Sequence, residues 1–398
     1  MAARTLAPAV KNAASKMPVV VITGPRQSGK TTLARSVFPR HEYVSLEDLD
    51  ERQFAMDDPR GFLGRFRGKV ILDEIQRVPD LFSYLQTEVD RNDSPGRFVL
   101  TGSQNFLLLG KVSQTLAGRA AIQHLLPFSL SELEERAPFS WEKLGLKTPA
   151  RTRILERDLA ETLFAGFYPR IHDKHLDPRD WCRDYVRTYV ERDVRDIVNV
   201  GDAEAFGRFL RLCAARSGQL LNQSSLASDC GITHTTVARW ISILEASFIV
   251  HLLRPHHENL GKRLIKSPKL HFLDTGLLCY LLGIRDAASL RMHSLRGAVF
   301  ESFVVSEALK HSYHRGEEPR IFFWRDSTGH EIDLLIERDS KLVPVEIKSG
   351  ETLASDAFKG LRSYVDRAGD RASAPTLIWG GRESYAREGI SCVSWSAL

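Results

Sequence analysis

Cysteine is sparse and unpatterned in this chain: five in 398 residues, at positions 182, 213, 230, 279 and 392, with no Cys-x-x-Cys. An odd, scattered set excludes a disulfide framework and a cysteine-based zinc site. Long apolar runs are also lacking. No uninterrupted stretch approaches the roughly 18 residues of a membrane span, and the N-terminus has no apolar segment of the kind a secretory signal needs. Together these absences predict a protein of the reducing cytoplasm with no membrane partner. Charge of one sign is missing too: 55 Lys and Arg stand against 50 Asp and Glu, a net of +5, compatible with nucleic acid without requiring it. No internal repeat or low-complexity segment is evident, which sets aside solenoid architectures. The histidines have no ligand spacing, and no local Ser-His-Asp or Cys-His motif indicates nucleophilic catalysis.

What is present begins at residues 24–31, Gly-Pro-Arg-Gln-Ser-Gly-Lys-Thr, directly after the apolar run Val19-Val20-Val21-Ile22. This is a complete phosphate-binding loop between a buried strand and a helix. Gly24 and Gly29 let the backbone curl so that successive N–H groups point at phosphate oxygens, with Pro25, Arg26, Gln27 and Ser28 forming the loop between them. Lys30 is expected to reach the β- and γ-phosphates, Thr31 to offer its hydroxyl to Mg²⁺, and Thr32 to lie in the first helical turn, where the helix dipole favours anions. The expected ligand is ATP with Mg²⁺.

About forty residues later Lys69-Val70-Ile71-Leu72-Asp73-Glu74 runs as an apolar strand into two carboxylates. Asp73 is expected to hold Mg²⁺ through water and Glu74 to act as general base towards the attacking water. A third buried strand, Arg97–Thr101, leads into Gly102-Ser103-Gln104-Asn105, whose polar side chains fall where a γ-phosphate sensor would sit.

These segments, with Leu72-Asp73-Glu74-Ile75-Gln76, Leu116-Ala117-Gly118-Arg119, Pro127-Phe128-Ser129, Glu191-Arg192-Asp193-Val194 and the run from Lys266-Ser267-Pro268-Lys269 through Asp274-Thr275-Gly276, resemble the AAA+ class of P-loop ATPases. More narrowly they resemble a prokaryotic family of ATP-binding proteins in which an AAA-type domain precedes a C-terminal domain of unknown function. The resemblance spans nearly the whole chain and implies an ATPase. It also makes Arg119 a candidate finger on the transferring phosphoryl group, within one subunit or towards a neighbour, with an ordinary surface ion pair as the alternative.

Changes of pattern predict an α/β protein in four parts: an ATPase core at 1–145, a helical lid at 146–218, a winged helix-turn-helix at 219–285 and a C-terminal α/β domain at 286–398. In the lid, Glu191–Asp196 is expected as a charged helix face, with Arg192 or Arg195 as the alternative nucleotide sensor. In the third part Ala227, Gly231, Val237 and Trp240 have helix-turn-helix spacing. A DNA reader would then present Thr233, His234, Thr235 and Arg239 to the groove and Lys262, Arg263 and Lys266 to phosphates; internal packing is the alternative.

The C-terminal part resembles the PD-(D/E)xK nuclease fold: a helix bearing Glu301, a strand at Ile321–Trp324, then Glu331–Ile336 with Asp333, and Leu342–Lys348 with Glu346 and Lys348. Asp333 and Glu346 are expected to share Mg²⁺ or Mn²⁺, with Lys348 on the same strand face positioning water. The functional expectation is an ATP-hydrolysing, DNA-associated protein that acts as an ATP-regulated metal-dependent nuclease. The contrasting expectation is a regulatory ATP switch whose C-terminal domain is an inactive platform for protein or DNA. Homo-oligomerisation stays open.

Overall fold

The computed structural model describes residues 3–103, 114–145, 158–190, 203–256, 267–326 and 328–398. Gln104, Asn105, Arg192, Arg195, Lys262, Arg263 and Lys266 lie outside them. Two compact units are present. The first comprises Met1–Phe128 with Ala246–Phe248 and Ser312–Glu318, the second Ser129–Glu245 with Ile249–His311 and Pro319–Leu398. Among the described residues no helix is long and apolar enough to cross a membrane.

The first unit is organised by a five-stranded sheet of β1 (Val19–Gly24), β2 (Glu42–Ser45), β3 (Val70–Asp73), β4 (Phe98–Ser103) and β5 (Ala120–His124), in the order β2-β3-β4-β1-β5 with every pairing parallel. Its central strands are near-continuous apolar runs because both faces are covered. Val20 and Ile22 pack with Val10, Leu33 and Val99 on one face, and Val19 and Val21 with Phe62, Leu85 and Leu100 on the other. Parallel pairing puts the C-terminal ends of β1, β3 and β4 on one edge, and α1 (Ala7–Ala14) and α2 (Lys30–Val37) flank β1. Strand β4, inserted between β1 and β3, brings a third strand end to that edge.

In the second unit α3 (Gln223–Cys230) and α4 (His234–Ala246) are joined through Gly231, whose φ of 69° is the left-handed conformation glycine adopts without strain. Val237 and Trp240 are buried, and the indole meets Phe206 and Phe209 at ring-centroid distances of 5.2 and 5.1 Å. A small antiparallel sheet follows, β6 (Gln219–Leu220), β7 (Val250–Leu253) and β8 (Lys269–Phe272), in the order β6-β8-β7. Helix α5 (Arg296–Tyr313) leads into the antiparallel strands β9 (Ile321–Arg325), β10 (Glu331–Arg338) and β11 (Lys341–Lys348). After α6 (Lys359–Ala368), β12 (Thr376–Trp379) pairs parallel with β11, and β13 (Tyr385–Arg387) and β14 (Ile390–Ser394) complete a six-stranded sheet.

Candidate functional site

The loop after β1 needs its glycines. Gly24 has a φ of 153°, and a Cβ there would come within 2.1 Å of the Leu125 carbonyl oxygen; Gly29, at φ 93°, caps α2 in the left-handed region. Ser28 is fully buried, and its hydroxyl has no hydrogen-bond partner among the described residues. Lys30 is 6 % exposed and donates to the carbonyls of Gly24 and Pro25 at 3.1 and 2.8 Å. Burial pushes its ammonium down to about 8, against the pull of Glu74 and then Asp73. An ammonium resting on two carbonyls, beside an orphaned hydroxyl and a helix N-terminus, fits the polyphosphate of a nucleotide.

Register places the acids. Gly24 lies opposite Ser103, and Leu72 opposite Leu100, so Asp73, Ser103 and the loop share one edge. The Asp73 carboxylate accepts from Thr31 Oγ1 at 3.0 Å, from Tyr43 Oη at 2.9 Å and from Thr101 Oγ1. All three donors are neutral hydroxyls, and Lys30 is the cation whose charge Asp73 feels. Burial, and then the Asp73 charge, raise the Tyr43 phenol to about 12. A carboxylate and a threonine hydroxyl form the hard oxygen donor set that Mg²⁺ takes, so these residues fit that ion.

Glu74 turns out of β3 in the left-handed region at φ 55°, uncommon for a residue with a side chain. Its carboxylate accepts from Gln76 Nε2, which also donates to Ser103 Oγ at 3.1 Å. Burial raises the Glu74 carboxyl above its ordinary range, with Lys30 opposing. A carboxylate of raised basicity, fixed by an amide tied to the neighbouring strand, is suited to accept a proton from water.

Arg119 lies elsewhere. Val19 pairs with Ala120, so Arg119 precedes β5 at the N-terminal edge of the sheet, five residues of β1 from Gly24, about 16 Å at the ordinary strand rise. Its guanidinium forks onto Asp90 of the helix Leu81–Arg91, with Nε–Oδ1 at 2.5 Å and Nη2–Oδ2 at 3.2 Å. An expected finger within its own subunit is therefore not what this placement gives.

Several contributors have no local sequence signal. Arg4 donates to the Ser28 carbonyl at 2.7 Å and the Leu126 carbonyl at 2.6 Å, pinning the loop from a site 24 residues upstream. Tyr43 and Thr101 are ordinary strand residues until β3 is placed between β2 and β4. Gln76 was visible in the Asp-Glu-Ile-Gln run, but its link to Ser103 was not.

Thr233, just before α4, and His234, Thr235 and Arg239 on it are exposed. Thr233 is engaged at the helix start, where its hydroxyl accepts from Thr236 N at 3.2 Å and pairs with Thr235 Oγ1 at 2.8 Å.

In the C-terminal sheet Leu334 faces Val345, which makes Asp333 and Glu346 the next cross-strand neighbours, as the spacing predicts. Lys348 Nζ sits 2.6 Å from Glu346 Oε1, and Asp333 Oδ2 accepts from Ile347 N at 2.9 Å. The expected Mg²⁺ or Mn²⁺ between them does not fit. Lys269, from β8, reaches into the same cluster, 2.9 Å from Glu301 Oε1, in contact with Glu331 and 3.8 Å from Asp333 Oδ1. Among the described residues no group of three or more His, Cys, Asp or Glu side chains has the spacing to hold a metal ion. The correction has a physical cause: an ammonium already neutralises the carboxylates that a divalent cation would need.

Comparison with known proteins agrees with this geometry in the first unit. Residues 16–134 match the model of an AAA domain, residues 156–288 that of a domain of unknown function (DUF8612), and residues 296–398 that of a domain of unknown function (DUF4143). Uncharacterized protein Rv2008c of Mycobacterium tuberculosis and uncharacterized protein Mb2031c of Mycobacterium bovis are each 32% identical over 353 residues, 88% of this chain and 74% of theirs. Among solved structures, the Walker-type ATPase PABY2304 of Pyrococcus abyssi is 13% identical with a TM-score of 0.45, covering 69% of this chain and 94% of that one. The RuvB Holliday junction branch migration motor of Thermotoga maritima is 19% identical with a TM-score of 0.28, covering 62% and 87%. These scores are too low to carry an argument. The identity and coverage of the mycobacterial relatives, with the AAA match over the P-loop, show that the chain belongs to their family, prokaryotic AAA-type P-loop ATPases with a C-terminal domain of unknown function (DUF4143).

Proposed function

We propose that this chain is an Mg²⁺-dependent ATP switch in which Lys30 clamps the β- and γ-phosphates, Thr31 and Asp73 hold the metal, and Glu74 takes the proton of the attacking water. The metal would neutralise charge on the phosphates. The observation that carries the reading is the shared strand edge: Ser103, Gln76 and Glu74 form one hydrogen-bonded chain beside the loop, so a γ-phosphate touching Ser103 would be reported to the base. Phosphate release by the purified chain tests it. A wild-type rate from Glu74→Gln would remove Glu74 from the role.

The output we propose is DNA engagement by the second unit. The exposed face of α4, with His234, Thr235 and Arg239, supports it, while Thr233 acts as the cap that starts the helix. Binding through phosphates would weaken steeply with salt because counterions are released. Salt-insensitive association with a protein, and none with DNA, would favour the platform reading.

A further inference from the structure

Lys269 is the most deeply buried lysine of the second unit that faces several acids at once, and the ATP switch leaves it unused. It opens β8 with its side chain 3% exposed, and its Nζ lies 5.6 Å from the centroid of the Phe323 ring. An ammonium has three donors. Here Glu301 and Glu331 take two, and Asp333 Oδ1 lies on the third side at 3.8 Å. Three further acid oxygens are engaged: Arg325 Nη1 stands 3.1 Å from Glu331 Oε2, Ile347 N donates to Asp333 Oδ2 and Lys348 Nζ to Glu346 Oε1. Glu301, Glu331, Asp333 and Glu346 thus meet Lys269, Arg325 and Lys348, four acids against three bases. Glu346 Oε2 is buried without a hydrogen-bond partner among the described residues, and burial followed by the Asp333 charge raises both the Glu301 and the Glu346 carboxyl. A divalent cation would have to sit against the Lys269 ammonium and compete with it for Glu301, Glu331 and Asp333.

We infer that Lys269 is the resident cation of this nuclease-like centre, standing in place of a divalent metal, so that the C-terminal domain neither loads Mg²⁺ or Mn²⁺ there nor cuts nucleic acid. The ammonium instead joins β8, which belongs to the small sheet after the helix-turn-helix, to α5 and β10 of the C-terminal domain. Its removal should uncover a metal site built from the same acids. This inference stands apart from the ATP switch, whose own readout is phosphate release.

Calorimetric titration of the nucleotide-free full chain with Mn²⁺ tests it, with Asp333→Asn alongside to identify heat from this centre. The wild type should show no Asp333-dependent binding at millimolar Mn²⁺, and plasmid incubated with it and Mn²⁺ should stay intact. Lys269→Ala should gain saturable binding at least tenfold tighter than wild type, and Lys269→Ala with Asp333→Asn should lose it again. Lys269→Arg keeps the charge and should remain blind to metal. If Lys269→Ala fails to fold, the wild-type and Lys269→Arg titrations still decide. Asp333-dependent Mn²⁺ binding by either protein, or Asp333-dependent DNA cleavage by the wild type, would overturn the inference whatever the ATPase rate. A folded Lys269→Ala that gains no metal would overturn it as well.

Discussion

Asp73 and Asp333 each end up beside a glutamate and a lysine, yet Asp73 is surrounded by the hydroxyls of Thr31, Tyr43 and Thr101, whereas Asp333 faces the Lys269 ammonium. In the first centre the lysine leans on the backbone carbonyls of Gly24 and Pro25 and forms no ion pair at hydrogen-bond distance with the acids. Hydroxyls satisfy a carboxylate geometrically without cancelling its charge, so a cation is still attracted. A buried ammonium does both, and a broken pair would leave an uncompensated charge in the interior. Two acid pairs of similar sequence appearance are thus suited to opposite uses.

The strongest test of this contrast removes one carboxylate from each centre. Glu74→Gln should lower phosphate release about 10²- to 10⁴-fold, the usual contribution of a general base, with nucleotide binding retained. Lys30→Ala should abolish nucleotide binding in a fluorescent-ATP assay. Glu346→Gln should leave phosphate release unchanged, and a matching loss there would erase the distinction between the centres.

A smaller effect concerns the lysine itself. Lys30 titrates near 8 without nucleotide, and phosphate charge would raise it, so binding takes up a proton once the pH exceeds that value. ATP affinity should be flat below pH 8 and then fall by up to about tenfold per pH unit. Affinity that stays level to pH 9.5 would show the ammonium to be fully charged beforehand.

Gln76→Leu removes the amide whose hydrogen bond lowers the Glu74 carboxyl. The acidic limb of the kcat profile should move to higher pH. No movement would detach Gln76 from the base.

The least effect is expected at Arg119, 35% exposed in its pair with Asp90. Arg119→Ala and Asp90→Ala should each cost no more than about 1 kcal/mol in denaturant unfolding and leave the turnover of isolated subunits unchanged. Turnover that falls in Arg119→Ala only as protein concentration rises would place its guanidinium on a neighbouring subunit.

The phosphate loop was legible because its chemistry is local: eight consecutive residues contain the glycines, the lysine and the threonine, and the apolar run before them can only be a buried strand. Asp73-Glu74 was legible for the same reason, as was the turn at Gly231, where a left-handed residue separates two amphipathic helices. Alternation put Lys348 on the face of Glu346, and the resemblance to the nuclease fold put Asp333 on the neighbouring strand, while the register between the strands came from the structure. Arg4, Tyr43, Thr101 and the reach of Lys269 were not legible, since each acts across 24 to 122 residues of chain and takes its partner from another element or loop. Sequence determined which residues could bind phosphate and which side chains share a strand face, because backbone conformation and side-chain alternation are short-range. Only tertiary structure decided which cation each acid pair received, because Lys269 is a surface-type residue by composition and becomes a buried counter-ion only when β8 is laid against α5 and β10.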